Sequence, residues 1–185
     1  MGHERGSVPV PPGPAHVGQA GALFGMPRAQ ARFLRRFCLF TLLLFAALYL
    51  ATDGETASLT HAVALLVQFV LRGLGMRTRL EDATIHVRGF TVSVVDQCTA
   101  VYESALLAAA MLAFPATARA RAAGIALGTL ALSTLNVLRI ASLLVVGAWL
   151  PDWFSAVHLY AWQAILAAAV VALWLGWIGR VGRDA

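Results

Sequence analysis

The chain has 185 residues, 59% of them hydrophobic and only 12% charged, with a mean hydropathy of +0.75; ordinary soluble domains carry about a quarter charged residues, so a soluble globule is excluded. All 14 basic residues are arginines, set against 9 acidic residues for a formal net charge of +5. They flank apolar runs instead of forming one basic stripe, which speaks against nucleic acid as a partner and makes them markers of membrane topology.

Residues 1–31 are expected to form a disordered cytoplasmic tail, because Pro9, Pro11, Pro12, Pro14 and Pro27 break any helix and no periodic apolar face is present. From Phe37 to Ala51 fifteen residues carry no charge, and Arg28, Arg32, Arg35 and Arg36 precede them. The long leader and the lack of a convincing small-residue cleavage site favour a retained anchor over a secretory signal, giving a first span over about 34–51. Residues 61–76 are apolar but short and are interrupted by His61, Gln68 and Arg72; such a stretch is expected to be interfacial or re-entrant. Two β-rich runs, Ile85 to Val87 and Phe90 to Val95, flank Arg88-Gly89. They predict a small hairpin outside the hydrocarbon, since an open strand pair leaves backbone groups unsatisfied in lipid.

Three further spans are expected, over 99–114, 122–150 and 156–178, closed by Pro115, by Pro151-Asp152 and by Arg180 with Arg183. The fold class is thus an all-α polytopic membrane protein with about four transmembrane helices, one interfacial or re-entrant helix and a small periplasmic β-hairpin. It forms a single membrane-embedded domain over 32–180, with 181–185 as a cytoplasmic tail. Four spans put the N-terminal tail, the 115–121 loop and the C-terminus on one side, and their arginines make that side the cytoplasm. Arg72, Arg77, Arg79 and Arg88 in the 52–97 connection weaken this bias.

This topology brings three reactive side chains to one level. Cys98 is expected to open the second span and His158 the fourth, both at their outer ends. Arg139 lies 17 residues beyond Ala122, roughly 26 Å into a hydrocarbon core about 30 Å thick. A thiolate is the competent form of cysteine, and a neighbouring imidazole, guanidinium or helix N-terminus favours it. His158 suits protonation of a leaving amine and Arg139 suits hydrogen bonding to a developing oxyanion. That is acyl transfer through a thioester. Each residue also has an ordinary reading: a cysteine near a helix end as packing, His158 as part of an aromatic belt, and Arg139 snorkelling to headgroups. Their coincidence at one depth is what favours chemistry.

Cys38 and Cys98 are expected on opposite sides of the bilayer, too far apart for a disulfide, which leaves Cys98 an unpaired thiol in an oxidising compartment. Asn136 shares the Arg139 face at i−3 and is expected to orient the guanidinium or contact substrate backbone. Glu103 is expected to pair with Arg139 or to face the bundle structurally. Asp96 is expected to be a helix N-cap. Trp149, Trp153, Trp174 and Trp177 read as interfacial belts, and Arg119 with Arg121 as topology determinants. His61, His86 and His158 lack ligand spacing for a metal, and there is no glycine-rich phosphate loop or G-x-S-x-G; no cofactor is implied.

With these residues in place, the chain resembles the exosortase/archaeosortase family of membrane transpeptidases. The resemblance rests on Asp96-Gln97-Cys98-Thr99-Ala100, on Asn136-Val137-Leu138-Arg139-Ile140 and on Val157-His158, and covers roughly residues 34–178. Members usually show Cys-Ser-Gly where this chain has Cys98-Thr99-Ala100. The small size is similar to the short, exosortase H type. The resemblance implies a Gram-negative inner-membrane enzyme with its site facing the periplasm. Its substrates would be exported proteins ending in a short motif, a transmembrane helix and a basic tail, passed through a Cys98 thioester to an unidentified acyl acceptor. Arg139 and His158 map onto the other two catalytic positions. The competing classes are a non-enzymatic membrane scaffold, and a small transporter using Arg139, Glu103 and His158 as a polar pathway.

Overall fold

The computed structural model describes residues 28–50 and 53–183; the expected tail over residues 1–27 lies outside them. Helix α1 runs Arg28–Tyr49 and α2 runs Asp53–Gly73. A three-stranded antiparallel sheet follows, with β1 Thr78–Glu81, β2 Thr84–Val87 and β3 Phe90–Ser93 in that order. A 3₁₀ turn at Asp96–Cys98 leads into α3, Val101–Ala113, and then α4, Ala118–Trp149. The last helix, α5, spans Pro151–Val181: a 3₁₀ turn at Pro151–Trp153, one α turn, a π-helical turn at Val157–Ala161 and a regular helix over Trp162–Val181.

Two of these, α4 with 32 residues and α5 with 31, are long and apolar enough to cross a membrane. The other two expected spans differ from that pattern. Helix α3 has 13 residues, about 20 Å at 1.5 Å per residue and short of a hydrocarbon core of about 30 Å; of the expected 99–114, Thr99 and Ala100 belong to the turn that precedes the helix and Phe114 is extended beyond its end. Helix α1 begins at Arg28, so four arginines lie within the helix, and residues 28–31 are helical instead of tail. Helix α2 is longer than the apolar run at 61–76 suggested, starting at Asp53.

The hairpin turn expected at Arg88-Gly89 joins β2 to β3, with Val87 paired to Phe90. Both turn residues have positive φ, 49° and 85°, which matches the right-handed strand twist. The third strand, β1, was not signalled by the sequence: Thr-Arg-Leu-Glu carries two charges and no β-branched run, and its exposed alternate positions explain that pattern.

Two cores are stacked along α4. The inner one packs Leu107 and Met111 of α3, Leu132 of α4 and Trp177 of α5, and α1 lies against α3, with Phe45 meeting Tyr102. The outer one packs Val63, Ala64, Val67 and Leu71 of α2 with Ile85 and Val87 of β2 and Ile140, Ala141 and Leu144 of α4. At about 48 Å, α4 exceeds the hydrocarbon thickness, so one helix serves both cores. Their junction falls near residues 136–140.

Glycines admit the closest contacts. A Cβ at Gly147 would overlap the Phe90 ring, and one at Gly124 would overlap the Trp177 indole. Trp177 is buried and its Nε1 donates to the Ala120 carbonyl at 3.1 Å. It belongs to the core and not to an interfacial belt, whereas Trp149 and Trp153 are exposed. Arg121 has a local task as well: its guanidinium donates to the Phe114 carbonyl at 3.1 and 3.3 Å, closing the end of α3.

Candidate active site at the junction of the two cores

Cys98 does not open a helix. It ends the 3₁₀ turn, with its N–H bonded to the Val95 carbonyl at 2.7 Å, and α3 begins three residues later. Thr99 closes the turn, its N–H and Oγ1 donating to the Asp96 carbonyl at 3.1 and 2.6 Å. Ala100 then adopts the left-handed conformation, φ 58° and ψ 15°, which reverses the chain into α3. An L-residue with a Cβ is disfavoured there. The expected N-cap role of Asp96 is therefore corrected: the turn separates it from α3, and Asp96 takes part through its backbone carbonyl, with no side-chain cap at either start.

The turn is tied to α4 by Asn136, whose Nδ2 donates to the Cys98 carbonyl. Cys98 itself is half-buried, packed beside the outer core, and both Cys38 and Cys98 are free thiols. One turn further along the same face of α4 lies Arg139, 4% exposed. Its Nε is buried without a hydrogen-bond partner, and among the described residues it forms no ion pair. An arginine so placed is held by the packing of the bundle and retains donors for another group.

His158 sits in the π-helical turn of α5, a distortion often found at functional positions. It is eight residues into the helical stretch that starts at Pro151, deeper than the helix start the sequence suggested. Arg139 lies close enough to His158 to act on it electrostatically. The imidazole also rests on Phe154, ring centroids 5.5 Å apart, and Phe154 meets Phe90 edge-on at 5.1 Å. Phe154 was overlooked in the sequence, although its i−4 spacing from His158 marks the two as neighbours on a helix. Thus α4 relates all three residues: Asn136 holds the Cys98 turn, and the Arg139 charge acts on His158.

Glu103 does not join them. It lies on the face of α3 that carries Leu107 and Met111, and its Oε2 is buried with no hydrogen-bond partner. Leu107 meets α4 at Gly128, while Cys98 meets it at Asn136. In this antiparallel pair Glu103 stands opposite about residue 132, roughly 10 Å along the axis from Arg139. The ion pair between them is absent among the described residues, and the bundle-facing alternative is the one that fits.

The family model for transmembrane exosortases, of the EpsH type, matches residues 10–177. The chain belongs to the transmembrane exosortase family. The match spans every element that contributes to the site, from α1 through most of α5. No curated protein and no solved structure matches this exosortase.

Proposed function

We propose that this exosortase is a membrane-embedded cysteine transpeptidase in which Cys98, Arg139 and His158 carry the reaction. The observation that carries this reading is Arg139: buried, without an ion-pair partner among the described residues, within electrostatic range of His158 and one helical turn from the residue that holds Cys98. A charge in such a place is costly unless it serves a partner.

In the proposed reaction His158 takes the Cys98 thiol proton, the resulting thiolate attacks the scissile carbonyl, and Arg139 N–H groups stabilise the oxyanion. As the carbon–nitrogen bond breaks, His158 gives its proton to the leaving amine, and the acyl group remains on Cys98 as a thioester. A nucleophile on the acyl acceptor, losing its proton to His158, then attacks the thioester and expels the Cys98 thiolate, which regains its proton from His158. The substrates are exported proteins with a C-terminal motif, a transmembrane helix and a basic tail. The site faces the periplasm of a bacterial inner membrane, which follows from placing Arg28 to Arg36, Arg119 and Arg121, and Arg180 on the cytoplasmic side.

The test is to co-express the chain with a protein from the same genome that ends in such a motif, helix and arginine tail. Wild type is expected to remove the tail in a gel-shift assay and Cys98→Ala to leave it intact. Equal processing by both, at equal membrane levels, would remove Cys98 as nucleophile and favour a scaffold or transporter.

A further inference from the structure

The turn that carries Cys98 has few hydrogen bonds to hold it. Its entry residue, Val95, offers no side-chain cap, its internal bonds run between neighbours, and its exit passes through a left-handed alanine. Short 3₁₀ turns have poorer hydrogen-bond geometry than α-helix, and a residue in the left-handed region persists only when its surroundings fix it. Among the described residues, the hydrogen bond that joins this turn to a facing helix is the one from Asn136 Nδ2 to the Cys98 carbonyl, spanning 38 residues of sequence.

Asn136 is 1% exposed. At that burial it is inaccessible to a substrate backbone, which sets aside one of the two roles its spacing suggested. The other role, orienting the guanidinium, has no hydrogen bond to support it, since Asn136 Oδ1 and Arg139 Nε are both unpartnered. An amide in the middle of an apolar helix is nevertheless expensive without a partner. Its partner here is the main chain of the nucleophile candidate. Arg139 stands three residues away on the same rigid helix, about 4.5 Å along the axis.

We infer that Asn136 is a positioning residue: it fixes the Cys98 turn to α4 and so sets the placement of the thiol relative to Arg139. This rests on the transpeptidase reading given above. The amide acts through the Cys98 carbonyl and touches neither substrate nor the reacting atoms. A backbone carbonyl is a suitable anchor, because it fixes the turn and leaves the thiol free to react.

The test uses the full chain in membranes with three variants. Asn136→Leu keeps the volume and loses the donor; Asn136→Gln keeps the donor on a longer arm; Cys98→Ala is the control. Two readouts are needed. One is processing of the co-expressed reporter at graded reporter levels. The other is the rate of Cys98 alkylation by N-ethylmaleimide in a Cys38→Ser background, which requires no substrate.

Asn136→Leu is expected to lower the maximal processing rate at least tenfold while leaving the half-saturating reporter level within twofold. It is expected to raise the alkylation rate severalfold as the turn loosens. Asn136→Gln is expected to recover most of both. A wild-type maximal rate and alkylation rate in Asn136→Leu would overturn the inference, as would a change confined to the half-saturating level, which would mean substrate contact. If Asn136→Leu does not accumulate, Asn136→Ala takes its place; failure of both while Asn136→Gln accumulates would make the residue purely structural and overturn it too. Processing unaffected by Cys98→Ala would defeat the transpeptidase reading, while the alkylation rates would still decide whether Asn136 holds the turn.

Discussion

His158 rests on the ring of Phe154, with centroids 5.5 Å apart, and Phe154 is itself met edge-on by Phe90 from the β-sheet at 5.1 Å. The sheet is thereby connected to the imidazole by two aromatic contacts. This gives a small β element, outside α4 and α5, a physical role in the candidate site. Such ring pairs contribute about 0.5–1.5 kcal/mol each beyond their burial.

Removing the brace should therefore cost activity more than assembly. Phe154→Ala is expected to slow reporter processing by about 3- to 10-fold, the equivalent of roughly 0.7–1.4 kcal/mol, with membrane levels unchanged. Phe154→Tyr, which keeps the ring, should process at close to the wild-type rate. Gel-shift kinetics on matched membranes measure both.

The same chain of contacts depends on a missing side chain. Phe90 occupies the space over Gly147 that a Cβ would fill, and Gly147 is buried on α4. Gly147→Ala should force the ring or the sheet aside, a destabilisation of about 1–3 kcal/mol. Thermal unfolding in detergent would show this as a lowered midpoint. Combining it with Phe90→Leu should restore part of the loss.

Ala100 offers the opposite experiment. Its φ of 58° lies in the region where glycine has no steric cost. Ala100→Gly is expected to stabilise the protein by about 0.5–1 kcal/mol, because relief of a left-handed residue, about 1–2 kcal/mol, outweighs the extra backbone entropy of glycine. Ala100→Val should destabilise it, being β-branched in the same conformation at a buried position. Unfolding midpoints of the two variants should move in opposite directions.

Arg139 tests charge against geometry. Arg139→Lys keeps the positive charge but loses the planar set of donors. If the guanidinium donates to the oxyanion, processing should fall about 100-fold, with the protein still inserted. Retention of full activity by the lysine variant would mean that charge alone suffices.

Some of this was legible in the sequence. The apolar runs and the prolines and arginines that bound them gave α4 and α5, and Arg88-Gly89 gave the β2–β3 turn, because hydrophobic period and turn chemistry are local properties. The order Cys98, Arg139, His158 was also visible, and with it the family. The strand β1 was not, since a short polar strand becomes a strand only by pairing with β2.

What only the tertiary structure decided are relations between distant segments. That Cys98 ends a turn and not a helix follows from hydrogen bonds within Val95–Ala100 and from the hold of Asn136, 38 residues away. That Glu103 stays apart from Arg139 follows from the register of α3 on α4, set by Leu107 over Gly128. That Trp177 is core and not belt follows from the space left by Gly124. Each depends on which side chain fits against which across a helix interface, and interdigitation of this kind has no signature in the spacing of one helix alone.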